Sequence, residues 1–329
     1  MRITALAGGV GGARFLRGLR DDLAADPTYG PQGPDPAEIT VVVNTADDIT
    51  LFGLRVCPDL DSVMYTLGGG IDEDRGWGRG SESFVVKEEL AAYGAEPQWF
   101  GLGDRDLATH IVRTRMLDQG YPLSAVTEAL CSRWQPGVRL LPMSDDRVET
   151  HVTIGSGEDR RAVHFQEWWV RLRAAEPASA IAPVGIEDAR PAPGVLEAIE
   201  RAQVILLPPS NPVVSIGPVV AVPGVRDALL GAPAPVVGVS PIIGTAPVHG
   251  MADACLAALG LPTSAEVVAR LYEPFLDGWL VAEQDAGTVV APSITLRARP
   301  LLMSSAEATR ALARAAFDLA LELAPEVAT

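Results

Sequence analysis

The sequence predicts an α/β fold: a mostly parallel sheet with flanking helices and one helical insertion. Three observations carry that expectation. The chain opens on the apolar run Ile3–Leu6, then Gly8-Gly9-Val10-Gly11-Gly12, then Phe15, Leu16, Leu19 and Leu23 on one helical face. Later runs, Ile39–Val43, Val204–Leu207 and Val236–Val239, are apolar throughout, as strands buried on both faces of a parallel sheet are. Each ends in Asn, Asp, Ser or Pro, and ligands of such Rossmann-like sheets bind beyond the carboxyl ends of the strands.

Strand, glycine loop and helix aim backbone N–H groups and the positive end of a helix dipole at a phosphate. Glycine lets bound oxygens approach the main chain and suits a turn with φ > 0. The fingerprint is partial. With Gly9 and Gly11 as the first glycines of G-x-G-x-x-G, Arg14 takes the third place, and no Gly-Lys-Ser/Thr follows. A tight βα turn without a ligand is the competing reading.

Residues 24–38, rich in proline and glycine, form a surface loop before the strand Ile39–Val43, which ends in Asn44-Thr45-Ala46-Asp47-Asp48. Residues 62–135 turn helical, in segments Ser62–Leu67, Ser83–Tyr93, Leu107–Gln119 and Ser124–Arg133, broken by glycines at 68–70 and 75–81. Val138–Leu141, Thr150–Ile154 and Ala162–Trp168 have strand character, the last two as a partly exposed antiparallel region. Residues 174–193 are a connector. After a helix at Gly194–Ala202 come strands Val204–Leu207 and Val236–Val239, a helix at Ala252–Leu259, and strands Gly278–Val281 and Leu296–Leu301. Ser305–Leu323 is an amphipathic helix with Ser304 or Ser305 as N-cap and Pro325 beyond its end. The whole, residues 1–329, is expected to be one nucleotide-binding domain with its insertion at 62–135.

The formal net charge of −16 argues against a nucleic-acid-coating surface, while local amides, arginines or metal ions can still hold a small anion. Three cysteines, Cys57, Cys131 and Cys255, show neither metal spacing nor an even disulfide set, which fits a reducing cytosol. Met1 opens directly onto a strand, and Val213–Val225 is too short and interrupted to span a bilayer. A cytoplasmic protein without a membrane partner is expected.

Three clusters should gather on one rim of the sheet. The first is the glycine loop. The second joins Asn44-Thr45-Ala46-Asp47-Asp48 to Pro58-Asp59-Leu60-Asp61, where repelling carboxylates invite a hard cation such as Mg²⁺. Asp47 or Asp48 as a helix cap, or as a holder of a ribose hydroxyl, are the alternatives. The third is Pro208-Pro209-Ser210-Asn211-Pro212 with Ser215, matched by Ser240-Pro241 after the next strand. Asp106 reads as a helix cap, Arg105 as a phosphate partner and His110 as a packed residue. Ser144-Asp145-Asp146-Arg147 is a further acidic turn or a solvated loop. Trp77, Trp99 and Phe100 offer stacking to a flat substrate, with core packing as the alternative, and Trp168 and Trp169 are assigned to packing. No Ser-His-Asp elbow, CxxC pair or HExxH occurs.

Taken in order, these strings resemble one family. Gly8-Gly-Val-Gly-Gly12, Val43-Asn-Thr-Ala-Asp-Asp48, Pro58-Asp-Leu-Asp61, Leu102-Gly-Asp-Arg-Asp-Leu-Ala-Thr-His110, Leu141-Pro-Met-Ser-Asp-Asp146, Pro209-Ser-Asn-Pro212, Ser215-Ile-Gly-Pro218 and Ser240-Pro-Ile-Ile-Gly244 are similar to the 2-phospho-L-lactate transferase (CofD/FbiA) group of coenzyme F(420) biosynthesis. The resemblance implies an Mg²⁺-dependent transferase and a homodimer. Its substrates would be a guanosine diphosphate conjugate of a three-carbon acid and the deazaflavin alcohol 7,8-didemethyl-8-hydroxy-5-deazariboflavin, with GMP released. Lys87 is the only lysine in an Ala-, Arg-, Gly- and Pro-rich chain, an actinobacterial composition that favours the enolpyruvyl over the lactyl donor.

On that resemblance Gly8, Gly9, Val10, Gly11 and Gly12 cradle the diphosphate, and Ser210, Asn211 and Ser240 hold the nucleotide. Asp47, Asp48 and Asp61 form the metal site, with Asp61 and Asp48 catalytic and Asp61 orienting or deprotonating the hydroxyl. Asp61, Trp99, Phe100 and Gly101 border the deazaflavin, covered by the insertion. A regulatory nucleotide-binding protein resembling gluconeogenesis factors is the alternative, expected to lack the 102–110 string. An NAD-dependent oxidoreductase is disfavoured by the missing third glycine and the extra acidic cluster.

Overall fold

The computed structural model describes residues 1–324. Within them seven strands pair in parallel: β1 (Arg2–Ala7), β2 (Glu38–Val43), β3 (Arg139–Pro142), β4 (Val204–Leu207), β5 (Val236–Val239), β6 (Gly278–Val281) and β7 (Thr295–Ala298). Their spatial order is 7-6-5-4-1-2-3. The order reverses at β1, which has β2 on one side and β4 on the other, so the crevice of a doubly wound sheet opens at their carboxyl ends. Strands β4, β5 and β6 are buried at every residue, which is why they are apolar without alternation.

Helices α1 (Gly9–Ala25), α2 (Pro58–Leu67), α3 (Val85–Ala92), α4 (Asp104–Asp118), α5 (Leu123–Trp134) and α6 (Ala306–Leu323) match the expected helical segments to within a few residues. One core lies under α1 and α6, where Leu16, Leu19 and Phe317 pack against Val41 and Val204. The other covers the opposite face of the sheet and includes Ile199, Val219, Leu256 and Trp279. Ser305 caps α6 by accepting from the Ala308 amide at 3.1 Å; Pro325, expected beyond that helix, lies outside the described residues.

Four departures from expectation matter. Helix α2 begins at Pro58, four residues early, because proline at the first position and two aspartates in the first turn suit a helix start. Between Asp48 and α2 runs a hairpin, Ile49–Leu51 with Leu54–Val56, turned by Phe52 (φ 52°) and Gly53 (φ 75°). No helix therefore follows Asp47 or Asp48 for either to cap. The connector at 174–193 contains a strand, Ala178–Val184, paired with Glu149–Ile154; its half-exposed alanines and Pro183 give no strand signal until the partner is in place. The strand expected over Ala162–Trp168 stops at His164, and the chain turns into a π-helical segment, Glu167–Arg171.

Among the described residues no single helix is long and apolar enough to cross a membrane; the pieces Pro212–Ala221 and Val225–Gly231 reach that length only across an 84° bend.

Candidate active site

The carboxyl ends of β1, β2, β4 and β5 open into a cavity of about 660 Å³, walled on the far side by α2, α4 and the segments 77–78 and 100–101. Gly8, Gly9, Val10 and Gly11 line it, at the uncapped N-terminus of α1. Gly9 has φ 65°, the left-handed conformation that favours glycine. At Gly11 the requirement is space: a Cβ would sit 2.4 Å from the Pro209 carbonyl oxygen. Gly12 does not line the cavity and backs onto Ser210. The Ser210 hydroxyl donates to the Gly8 carbonyl at 2.9 Å and accepts from its amide at 3.3 Å, locking the two loops together. Gly11→Ala is therefore expected to cost about 1–3 kcal/mol of stability by forcing the β4 loop outward; a lowered urea midpoint, with weakened nucleotide binding, checks it.

The acidic residues, buried except for the half-buried Asp106, divide into two groups. In the first, the Asn44 side-chain amide donates to Asp47 at 2.9 Å and to Asp59 at 3.0 Å, and Gln166 donates to Asp47 at 3.2 Å. Burial holds the Asp47 carboxyl well above its ordinary range, and the charges of Asp59 and Asp48 push the same way. Burial also raises Asp59, to about 7, against the lowering effect of the Asn44 bond. Asp48 sits behind them, away from the cavity, with its Oδ2 3.1 Å from Arg55 Nη2; burial raises it to about 6 despite that guanidinium.

The second group is built on α2 and α4. Arg113, fully buried, donates to Asp61 Oδ1, while Asp61 Oδ2 is buried without a hydrogen-bond partner. Arg113 Nη1 lies 3.1 Å from His110 Nδ1. A guanidinium only donates, so Nδ1 accepts and the imidazole proton sits on Nε2, facing Asp106 Oδ2 at 3.4 Å. Tyr65 donates to the other Asp106 oxygen at 2.6 Å. Burial would raise the Asp106 carboxyl, but the facing His110 N–H, the Tyr65 bond and the charge of Arg113 outweigh it and hold it low. Burial raises Asp61, opposed chiefly by the charge and bond of Arg113.

Several residues take other places than their sequence setting implied. Asp106 faces the cavity instead of capping α4, and His110 lines the cavity with it. Arg105 is exposed and does not reach the cavity. Asp145 accepts from Ser124 in the first turn of α5, so the 144–147 turn is structural. Asn211 lines the cavity, but its carbonyl accepts the Val213 and Val214 amides. Ser240 is buried off the cavity and bonds within its own loop, to Ile242. Trp99 lies behind Phe100, edge to face at 5.8 Å, while Phe100, Gly101 and Trp77 form the wall. Phe165 and Trp169 also line the cavity; of the adjacent pair Trp168 and Trp169 only Trp168 is wholly packed, donating to the Glu176 carbonyl.

The raised carboxyls set a pH dependence. Asp48 and Asp59 keep protons in the folded protein that the unfolded chain has lost above its ordinary carboxylate range near 3.8. Their stabilising contribution is full below that range and is lost as pH rises through about 6 for Asp48 and about 7 for Asp59. The metal-free protein is expected to unfold at lower temperature at pH 8 than at pH 5, and Asp59→Asn to flatten the difference.

The profile of the family described as 2-phospho-L-lactate transferase CofD matches residues 3–298. A phosphoenolpyruvate transferase of Thermobifida fusca is 65% identical over 98% of this chain and 99% of its own. That of Streptomyces griseus is 64% identical, again over 98% and 99%, and that of Mycolicibacterium smegmatis 56% over 97% and 99%. In three dimensions the chain is similar to protein BH3568 of Bacillus halodurans, with a TM-score of 0.62 at 16% identity over 96% of this chain and 99% of that one. At that identity the likeness concerns the fold.

Proposed function

This chain belongs to the 2-phospho-L-lactate transferase CofD family, and from that premise we propose that it moves a phosphoenolpyruvyl group from a guanosine diphosphate conjugate to the ribityl hydroxyl of 7,8-didemethyl-8-hydroxy-5-deazariboflavin, releasing GMP. The enolpyruvyl donor, in preference to the lactyl one, is supported by the name that the similar actinobacterial proteins share. The observation that carries the mechanism is the free Oδ2 of Asp61, buried, partnerless and on the cavity wall.

In this reading the first-turn amides and dipole of α1 hold the diphosphate. The acceptor hydroxyl attacks the phosphorus bearing the acid, the bond from that phosphorus to the GMP oxygen breaks, and the hydroxyl proton passes to Asp61 Oδ2. Arg113 fixes the other oxygen and so the direction of the free lone pair. Trp77, Phe100 and Gly101 border the deazaflavin.

The residues present fit a divalent cation. Asp61, Asp106 and His110 offer ligand atoms within 4.8 Å of one another, but Arg113 beside them already supplies the positive charge. Asp47 and Asp59 face neutral amides instead, and would hold Mg²⁺. Bound there, it supplies charge neutralisation at the diphosphate. Asp48, paired with Arg55, supports them from behind. The protein acts in the cytoplasm, as a homodimer, on small molecules.

The test is incubation with Mg²⁺, the deazaflavin alcohol and, separately, the enolpyruvyl and lactyl guanosine conjugates, with product read by mass. Product from the enolpyruvyl donor alone is expected. Product from the lactyl donor alone would replace the donor and keep the reaction. No product from either, with guanosine nucleotide still bound, would move the case to a regulatory binding protein.

A further inference from the structure

Four carboxylates, Asp47, Asp59, Asp61 and Asp106, line the cavity, yet among the described residues Arg14 is its one arginine or lysine. Arg14 stands four residues after Val10 on α1, so the two share a flank of the helix. That flank faces the 73–78 segment: Gly76 lies against the Val10 side chain and Arg14 Nη2. Gly12, on the far side of the helix from Arg14, packs on Ser210, and Gly11 between them lies against Pro209. Arg14 makes a single long hydrogen bond, Nη2 to the Glu73 carbonyl at 3.3 Å, which leaves most of its fork of donors unused.

We propose that Arg14 selects the donor by pairing with the carboxylate of the transferred acid, a role that rests on the transferase reading above. The phosphates have the amides of the glycine loop. The nucleotide has the Pro209–Ser210 flank. The acid travels with the phosphorus towards the acceptor, and so belongs on the Arg14 flank, beside Trp77. A carboxylate entering a cavity that already holds four acidic side chains needs a cation, and a guanidinium fork matches it with two parallel bonds.

Calorimetric titration without acceptor tests this, using GDP, which lacks the acid, and the enolpyruvyl guanosine conjugate. Arg14→Gln is expected to weaken the conjugate about 10- to 150-fold, as for a lost charge-assisted bond, with GDP changed less than about threefold. Retained GDP binding also reports that the variant folds. Arg14→Lys should fall between, and Arg17→Gln, which removes a neighbouring charge off the cavity, should match the wild type. Equal weakening of GDP and conjugate, no weakening of the conjugate, or the same loss in Arg17→Gln would overturn the assignment and leave the transferase reading standing. A wild type that binds neither ligand would overturn that reading and this assignment together.

Discussion

Asp61→Asn is expected to lower turnover by about 10²- to 10⁴-fold, the usual weight of a positioned general base, while guanosine nucleotide binding changes little. The substitution keeps the shape and leaves a carbonyl oxygen for Arg113. Among the described residues it removes the one cavity-lining carboxylate oxygen that is buried without a hydrogen-bond partner. Steady-state kinetics beside nucleotide titration separates the two effects. Turnover within a few-fold of wild type would remove Asp61 from the mechanism and direct attention to Asp59. Asp106 is a poorer substitute, since Tyr65 donates to one of its oxygens and the His110 ring stands 3.4 Å from the other.

Arg113→Met is expected to be the most destabilising single change in the site, by about 3–5 kcal/mol. The guanidinium is buried and donates to Asp61, to His110 and, at 3.2 Å, to the Arg55 carbonyl. Its removal leaves a buried carboxylate with no counter-charge, and the methionine cannot replace the bond to the Arg55 carbonyl. Urea denaturation measures the loss. Adding Asp61→Asn to the same chain removes the orphaned charge and should recover part of the stability but none of the activity. A single variant within about 1 kcal/mol of wild type would mean that Asp61 is carried protonated, and the proton-transfer scheme would fail with it.

Parts of this site were legible in the chain. Asp106, His110 and Arg113 stand at i, i+4 and i+7, one face of α4, and Asp61 and Tyr65 are four apart on α2. That periodicity marks a polar helical face turned inward. A helix cap at Asp106 and a packed His110 are what either residue implies alone; the face emerges only from the three together. Proline followed by two aspartates already announced the start of α2 at Pro58. Trp169 carried no such sign: it differs from Trp168 only in which side of a π-helical turn it occupies. Ser240 and Asn211 sit at the expected strand ends, but short polar side chains serve the turn as readily as a ligand, and here both bond their own loops.

By itself the sequence determined the parallel sheet, the glycine turn at the start of α1, the family and the gathering of acidic residues at the strand ends. Those follow from local rules: apolar runs without alternation, glycine before a helix, polar clusters after strands. Only the tertiary structure decided which acids share a wall, which of those keeps an unpartnered oxygen there, and that Asp48 stands behind them beside Arg55. Those depend on pairs distant in the chain, Asp61 with Arg113 and Asp47 with Gln166. Chain separation carries no record of distance in space, and the energy of a buried charge is set by what lies within a few ångströms of it.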